Sequence, residues 1–117
     1  MKLTKNIQNR IKKHADQVFP EECCGLIVKR DEDNKMIVKK CKNMAEDKIN
    51  NFQISVEDYL NSYMNGEISA VYHSHTQGQN SFSEADKTIT DGLELANVLY
   101  ITKTNKFDVL EPEIKDE

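Results

Sequence analysis

Apolar residues in this chain repeat with two different periods, and the two periods alternate along the sequence. Between residues 5 and 18, Ile7, Ile11, Ala15 and Val18 recur at spacings of four, four and three, which is one face of an α-helix. Thr4 is placed to cap that helix and Pro20 to close it. Gly25 to Val28 is apolar and β-prone, as is the run from Lys35 to Lys39 around Met36, Ile37 and Val38. The polar stretch Asp31-Glu32-Asp33-Asn34 between them predicts a hairpin. Residues 41–54 read as loop, ending in a short extended piece around Phe52 and Ile54. Ser55 then caps a second helix, with Asp58 three residues on. Its expected buried face is Val56, Leu60 (or Tyr59) and Tyr63, and Asn65-Gly66 stops it. Ile68 to His75 is a third strand, and Thr76 to Phe82 a polar loop. Residues 83–96 form a third helix with Ala85, Ile89, Leu93 and Ala96 on one side. Val98 to Ile101, a turn at Thr104-Asn105 and the run from Phe107 to Leu110 make a final hairpin. The order α-β-β-α-β-α-β-β predicts a sheet covered by helices, in the α/β or α+β range.

The 117 residues are enough for one domain with one real core and too few for two. The formal charge is −4. No Lys/Arg stripe with interleaved aromatics occurs, which argues against nucleic acid as the partner. No apolar run approaches the ~20 residues of a membrane-spanning helix. Residues 84–117 carry nine acids and four bases, with Glu111, Glu113, Asp116 and Glu117 forming an expected solvated acidic tail at 111–117. There are three cysteines, two of them adjacent at Cys23 and Cys24, so no disulfide framework is expected. The N-terminus lacks the apolar segment of a secretory signal. A reduced, cytoplasmic protein is the expectation.

The chemistry concentrates at His73-Ser74-His75 and Ser83-Glu84-Ala85-Asp86. Alternate residues of a strand point to one face, so His73 and His75 project together near the strand's end. Two such imidazoles can hold one Zn²⁺. Asp86 lies eleven residues past His75, one turn into the third helix, where a returning loop can bring it to the same ion. Three protein ligands with an open position are the pattern of a catalytic zinc rather than a structural one. Either half alone has an ordinary explanation. A lone His-X-His pair is usually surface or packing, and Ser83-X-X-Asp86 is also a helix capping box. A general base is needed as well, and Glu21 and Glu22 stand just before the first strand. Read from the residues alone, they are better explained as a solvated acidic pair that ends the first helix after Pro20.

Pro20-Glu21-Glu22-Cys23-Cys24-Gly25, followed by His73-Ser74-His75, seven residues and then Ser83-X-X-Asp86, closely resembles the JAMM (MPN+, or JAB) metalloprotease signature. Ile54 to Leu60 and the last hairpin extend the likeness to the JAB-type N-terminal domains of lambdoid phage tail assembly proteins of the K type. The resemblance implies an α/β domain over residues 1–110, a curved mixed sheet flanked by helices in a cytidine-deaminase-like three-layer arrangement. It implies one Zn²⁺ held by His73, His75 and Asp86. It selects Glu22 as general base and gives Ser83 a role in stabilising the oxyanion. The implied activity is hydrolysis of a peptide or isopeptide bond in a protein partner, either a ubiquitin-like module or a phage tail-tip protein, in the host cytoplasm during assembly. The alternative is a scaffold domain that keeps the fold without turnover. In the phage proteins a cell-wall peptidase domain usually follows. None is present in this sequence, so a standalone form or one domain of a longer protein is expected.

Thr76 stands where the family has proline, which is expected to leave the strand's exit looser. His14 reads as a packing or surface histidine, and Cys24 and Cys41 as buried small hydrophobes. A zinc deaminase would need His-X-Glu and Pro-Cys-X-X-Cys, and neither occurs. A cysteine protease built on Cys23 or Cys24 leaves His73, His75 and Asp86 unexplained. Ser74 faces away from the histidines and is not a candidate nucleophile.

Overall fold

The computed structural model describes residues 1–113, so Asp116 and Glu117 of the expected acidic tail lie outside the described residues. Helix α1 spans Lys5–Val18, capped by the Thr4 hydroxyl accepting from the Ile7 amide. Its Ile7, Ile11 and Ala15 are buried as their spacing predicts. Ile11 is fully enclosed, and truncating such a side chain costs about 2–5 kcal/mol. Strands β1 (Cys24–Arg30) and β2 (Met36–Cys41) form the expected hairpin, turned at Asn34 in the left-handed conformation (φ 60°). Asparagine tolerates that region better than other non-glycine residues. The hairpin of β4 (Ala96–Ile101) and β5 (Lys106–Leu110) uses the same device at Asn105, whose side chain also accepts a hydrogen bond from the Tyr100 hydroxyl.

The five strands among the described residues form one sheet in the order β2-β1-β3-β4-β5. Strand β3 (Gly66–His75) lies at its centre, antiparallel to β1 and parallel to β4. A parallel neighbour needs a crossover, and helix α3 (Glu84–Leu93) supplies it. One side of the sheet packs Ile27, Ala70, Tyr72 and Val98 under α1. The other buries Leu26, Val28, Val71 and Ile54, with Tyr59 of α2 (Val56–Asn65) against them. The result is the expected α/β class: a mixed sheet between helical layers.

Two helical faces differ from expectation. On α2, Val56, Leu60 and Tyr63 are 72%, 56% and 73% exposed, as is Met64 at 79%. The inward side is built instead on Tyr59 and Ser62. Tyr59, the alternative to Leu60, is therefore the packed residue, and the apolar stripe looks outward. Helix α3 ends at Leu93, not residue 96, because Glu94 turns left-handed (φ 54°) and Ala96 is needed in β4 opposite Ala70. Its Ala85 and Leu93 are exposed, and its buried residues are the polar Asp86 and Thr90. The apolar spacing locates this helix but assigns its inward face wrongly, because that face carries Asp86 and Thr90.

Candidate metal centre

Strand alternation and sheet order assemble this site. His73 and His75 share the face of β3 away from α1, at the strand's C-terminal end, and both are buried. Their Nε2 atoms are 3.3 Å apart. Helix α3 starts with Ser83 as N-cap, and the capping box is complete. The Ser83 hydroxyl accepts from the Asp86 amide at 3.1 Å, and Asp86 Oδ2 accepts from the Ser83 amide at 2.9 Å. The same Oδ2 lies 3.2 Å from His73 Nε2 and 3.3 Å from His75 Nε2. Ligand atoms held ~2.0–2.1 Å from a tetrahedral zinc lie roughly 3.3–3.4 Å from one another. The triangle of two nitrogens and one oxygen matches that edge length, so the residues present fit a zinc ion.

Glu22 reaches the same site from the segment that leads into β1, the antiparallel neighbour of β3. The Cys23 carbonyl accepts from the Ser74 amide at 3.1 Å, and the Cys23 amide donates to Ser74 Oγ at 2.8 Å. This pairing brings the segment before β1 alongside the histidine strand. Glu22 is buried, and its carboxylate, His73 and His75 offer ligand atoms within 4.8 Å of one another. The backbone of Glu22 is clamped by the 42–53 loop. Its amide donates to the Lys48 carbonyl at 2.7 Å, and its carbonyl accepts from Asn43 Nδ2 at 3.1 Å. Asn43 is a buried hub. It also donates to the Asn51 carbonyl and accepts from the amides of Ala45 and Gln53. Glu21 is exposed.

The surroundings polarise these groups in different directions. Burial raises the Glu22 carboxyl to about 8, against a smaller pull downward from His75. Burial holds His73 below the usual imidazole range. Burial also pulls on His75, but the hydrogen bond to Asp86 and the carboxylate of Glu22 leave it above its ordinary value. Burial works on Asp86 in the opposite sense and is outweighed by the two histidines, which hold the carboxyl well below the carboxylate range. Burial lifts the Cys23 thiol to about 12 and raises Cys24 as well. Neither sulfur is a thiolate at neutral pH.

Two partners of His73 escape a reading of the sequence. Asn97 of β4, 1% exposed, places Oδ1 3.0 Å from His73 Nδ1, which fixes that nitrogen as the protonated one and turns the Nε2 lone pair toward Asp86 and His75. Phe52 stacks on the ring at 4.5 Å between centroids and 20° between planes. The signal for Asn97 is a polar residue beside the apolar run Val98 to Ile101. Thr76 differs from expectation too. It is 1% exposed, and its hydroxyl donates to the Pro20 carbonyl at 2.8 Å, so the strand's exit is tied down by a hydrogen bond.

A cleft of about 420 Å³ opens over Glu22, His75, Ser83 and Asp86. Phe52 and Ile89 also line a separate apolar groove of about 330 Å³ that includes Ile54, Tyr59 and Leu93.

A sequence profile described as prokaryotic homologues of the JAB domain matches residues 4–111. The chain belongs to this JAB-domain family. Among curated relatives of this JAB-domain chain is the tail tip assembly protein K of Escherichia phage N15, 31% identical over 78 residues, which are 67% of this chain and 31% of that protein. The chain thus spans less than a third of that relative's length. The solution structure of a Desulfitobacterium hafniense protein superposes with a TM-score of 0.71 at 19% identity, over 97% of this chain and 92% of the other. A Salinibacter ruber protein, also a solution structure, gives 0.54 at 18% identity, over 99% and 92%. Both show that the JAB-domain chain shares their fold. No helix among the described residues is long and apolar enough to cross a membrane.

Proposed function

We propose that this JAB-family chain is a zinc-dependent peptidase or isopeptidase that acts on a protein partner in phage tail assembly, in the cytoplasm of the host. The observation that carries the reading is the triangle of His73 Nε2, His75 Nε2 and Asp86 Oδ2, with edges of 3.2–3.3 Å, beside the buried Glu22. In this reading His73, His75 and Asp86 hold one Zn²⁺ per chain. When bound, zinc supplies Lewis acidity toward the scissile carbonyl and makes water acidic enough to attack near neutral pH.

Glu22 takes the proton of the attacking water and delivers it to the leaving amine. A carboxylate positioned to shuttle that proton contributes roughly 10²–10⁴-fold. Ser83 Oγ already accepts from the Asp86 amide, which leaves the hydroxyl hydrogen free to donate to the developing oxyanion. Asn97 and Phe52 hold the His73 ring. The substrate chain lies in the cleft, beside the apolar groove that shares Phe52 and Ile89 with it.

The similarity to a phage tail tip assembly protein supports a tail protein as the partner, and a ubiquitin-like module is the other candidate. Purified protein is expected to contain about one zinc per chain. Asp86→Ala is expected to lose it. Glu22→Gln is expected to keep zinc while cleavage of co-expressed tail proteins, followed by mass spectrometry, stops. A chain that cannot be loaded with zinc sinks the proposal, and a Glu22→Gln variant that still cleaves assigns the base to another residue. One observation favours a second reading, a scaffold without turnover. The outward stripe of Val56, Leu60, Tyr63 and Met64 on α2 is the kind of surface a permanent partner covers. Zinc-loaded protein that binds its partner and leaves it intact would decide for the scaffold.

A further inference from the structure

On the opposite side of the sheet from the metal centre, α1 and the edge strand β2 enclose a pocket of about 170 Å³ lined by Arg10, Lys13, His14, Gln17, Val38 and Lys40. Each charged group lining it is a cation, in a chain whose formal charge is −4. None of Arg10, Lys13 and Lys40 forms an ion pair among the described residues. Arg10 Nε donates to Asn6 Oδ1 at 3.4 Å and Lys40 Nζ to Gln17 Oε1 at 3.3 Å, weak bonds to neutral acceptors.

The buried part of the lining is the informative one. His14 is 6% exposed, with Nδ1 2.7 Å from the Tyr72 hydroxyl. Tyr72 is fully buried, and among the described residues its hydroxyl has no other hydrogen-bond partner. The O–H must therefore donate to His14 Nδ1, or its hydrogen goes unsatisfied in the core. That fixes the proton of the neutral ring on Nε2. No acceptor for Nε2 exists among the described residues. The nine-tenths buried His14, held through Nδ1, thus lines the pocket with an N–H that has no protein acceptor among the described residues, beside three cations.

We infer that this pocket binds an oxyanion, a carboxylate or a phosphate group, with His14 Nε2–H donating to it and Arg10, Lys13 and Lys40 closing on it. The site is separate from the metal centre, because Tyr72 and His73 are successive residues of β3 and face opposite sides of the sheet. The carboxylate would come from an acidic peptide segment of a partner, and the phosphate from the free ion.

The test is nuclear magnetic resonance of the full chain titrated with sodium phosphate, with sodium chloride at matched ionic strength as reference. A second arm uses a capped tetraglutamate peptide. Saturable shifts at His14 and its neighbours on α1 and β2 are expected with at least one of the two ligands. Arg10→Gln and Lys40→Gln, both at exposed positions, should each weaken binding about tenfold, and Lys106→Gln on β5 should not. Tighter binding of the peptide assigns the site to a partner's carboxylate, and tighter binding of phosphate to the free ion. Shifts that grow without saturating, that chloride reproduces, or that survive both pocket variants would overturn the inference.

Discussion

Two glycine-to-alanine substitutions should act with opposite sign. A Cβ on Gly25 would lie 2.3 Å from Tyr72 Cε2 and 2.4 Å from the Lys39 carbonyl oxygen, where real Cβ contacts essentially never fall under 3.0 Å. Neither neighbour can yield cheaply. Lys39 O belongs to the backbone of β2, paired with β1. Tyr72 is fully enclosed, and its hydroxyl is the partner of His14. Forcing a methyl into such a core costs about 1–3 kcal/mol. Pulling Tyr72 off His14 leaves buried polar atoms unmatched for about another 1–3 kcal/mol. Gly25→Ala should therefore lose about 2–6 kcal/mol out of a total of about 5–15 kcal/mol. Gly92, in the last turn of α3, has nothing within 4 Å of its added Cβ. Gly92→Ala should gain up to about 1 kcal/mol through helix propensity and a less disordered unfolded chain. Urea unfolding of both variants in excess chelator, so that metal linkage is removed, measures the difference. A Gly25→Ala protein within about 1 kcal/mol of wild type would refute the packing argument. Stabilisation by both substitutions would refute the assignment of Gly25 to a closed interior.

Three further outcomes are expected. Asn97→Ala should lower zinc affinity about 10–100-fold while leaving the three ligands in place, because support of a ligating imidazole carries that much; competition with a chromophoric chelator reads it. His14 is held near 4, below its ordinary 6.5, by burial and then by Lys40. A histidine that is harder to protonate when folded favours the unfolded chain as pH falls. Stability should drop by up to about 3 kcal/mol between pH 6.5 and pH 4, and urea midpoints of His14→Gln should flatten over that window. Asn43→Ala removes both sides of the hub beneath Glu22 and should cost about 2–4 kcal/mol, with faster amide exchange across residues 42–53 than in wild type.

The sequence makes the frame, the shared face of His73 and His75 and the Ser83–Asp86 cap legible for one physical reason: they rest on short-range pattern. Alternation on β3 puts His73 and His75 on one face, and the Ser83–Asp86 capping box is a local motif that the structure reproduces bond for bond. Residues whose effect depends on a distant strand are not legible. Asn97 reaches His73 only because β4 lies parallel to β3. Asn43 and Lys48 reach Glu22 only because the 42–53 loop folds back over the start of β1. The outward stripe on α2 misleads for a related reason. Helical spacing identifies an apolar face but not which neighbour covers it. The expected loosening at Thr76 fails because a hydroxyl–carbonyl bond to Pro20 replaces the restraint of a proline ring.

The three proposed ligands sit on supports of unequal stiffness. His73 and His75 belong to a strand bonded on both sides, whereas Asp86 rides on a helix whose buried residues are polar. With the ion in place, that helix is fastened to the sheet by coordination in addition to packing. The capping box and the two imidazoles already hold the carboxylate at the sheet without an ion, so the cleft's outer wall would gain a further fastening, not its first, from a bound metal.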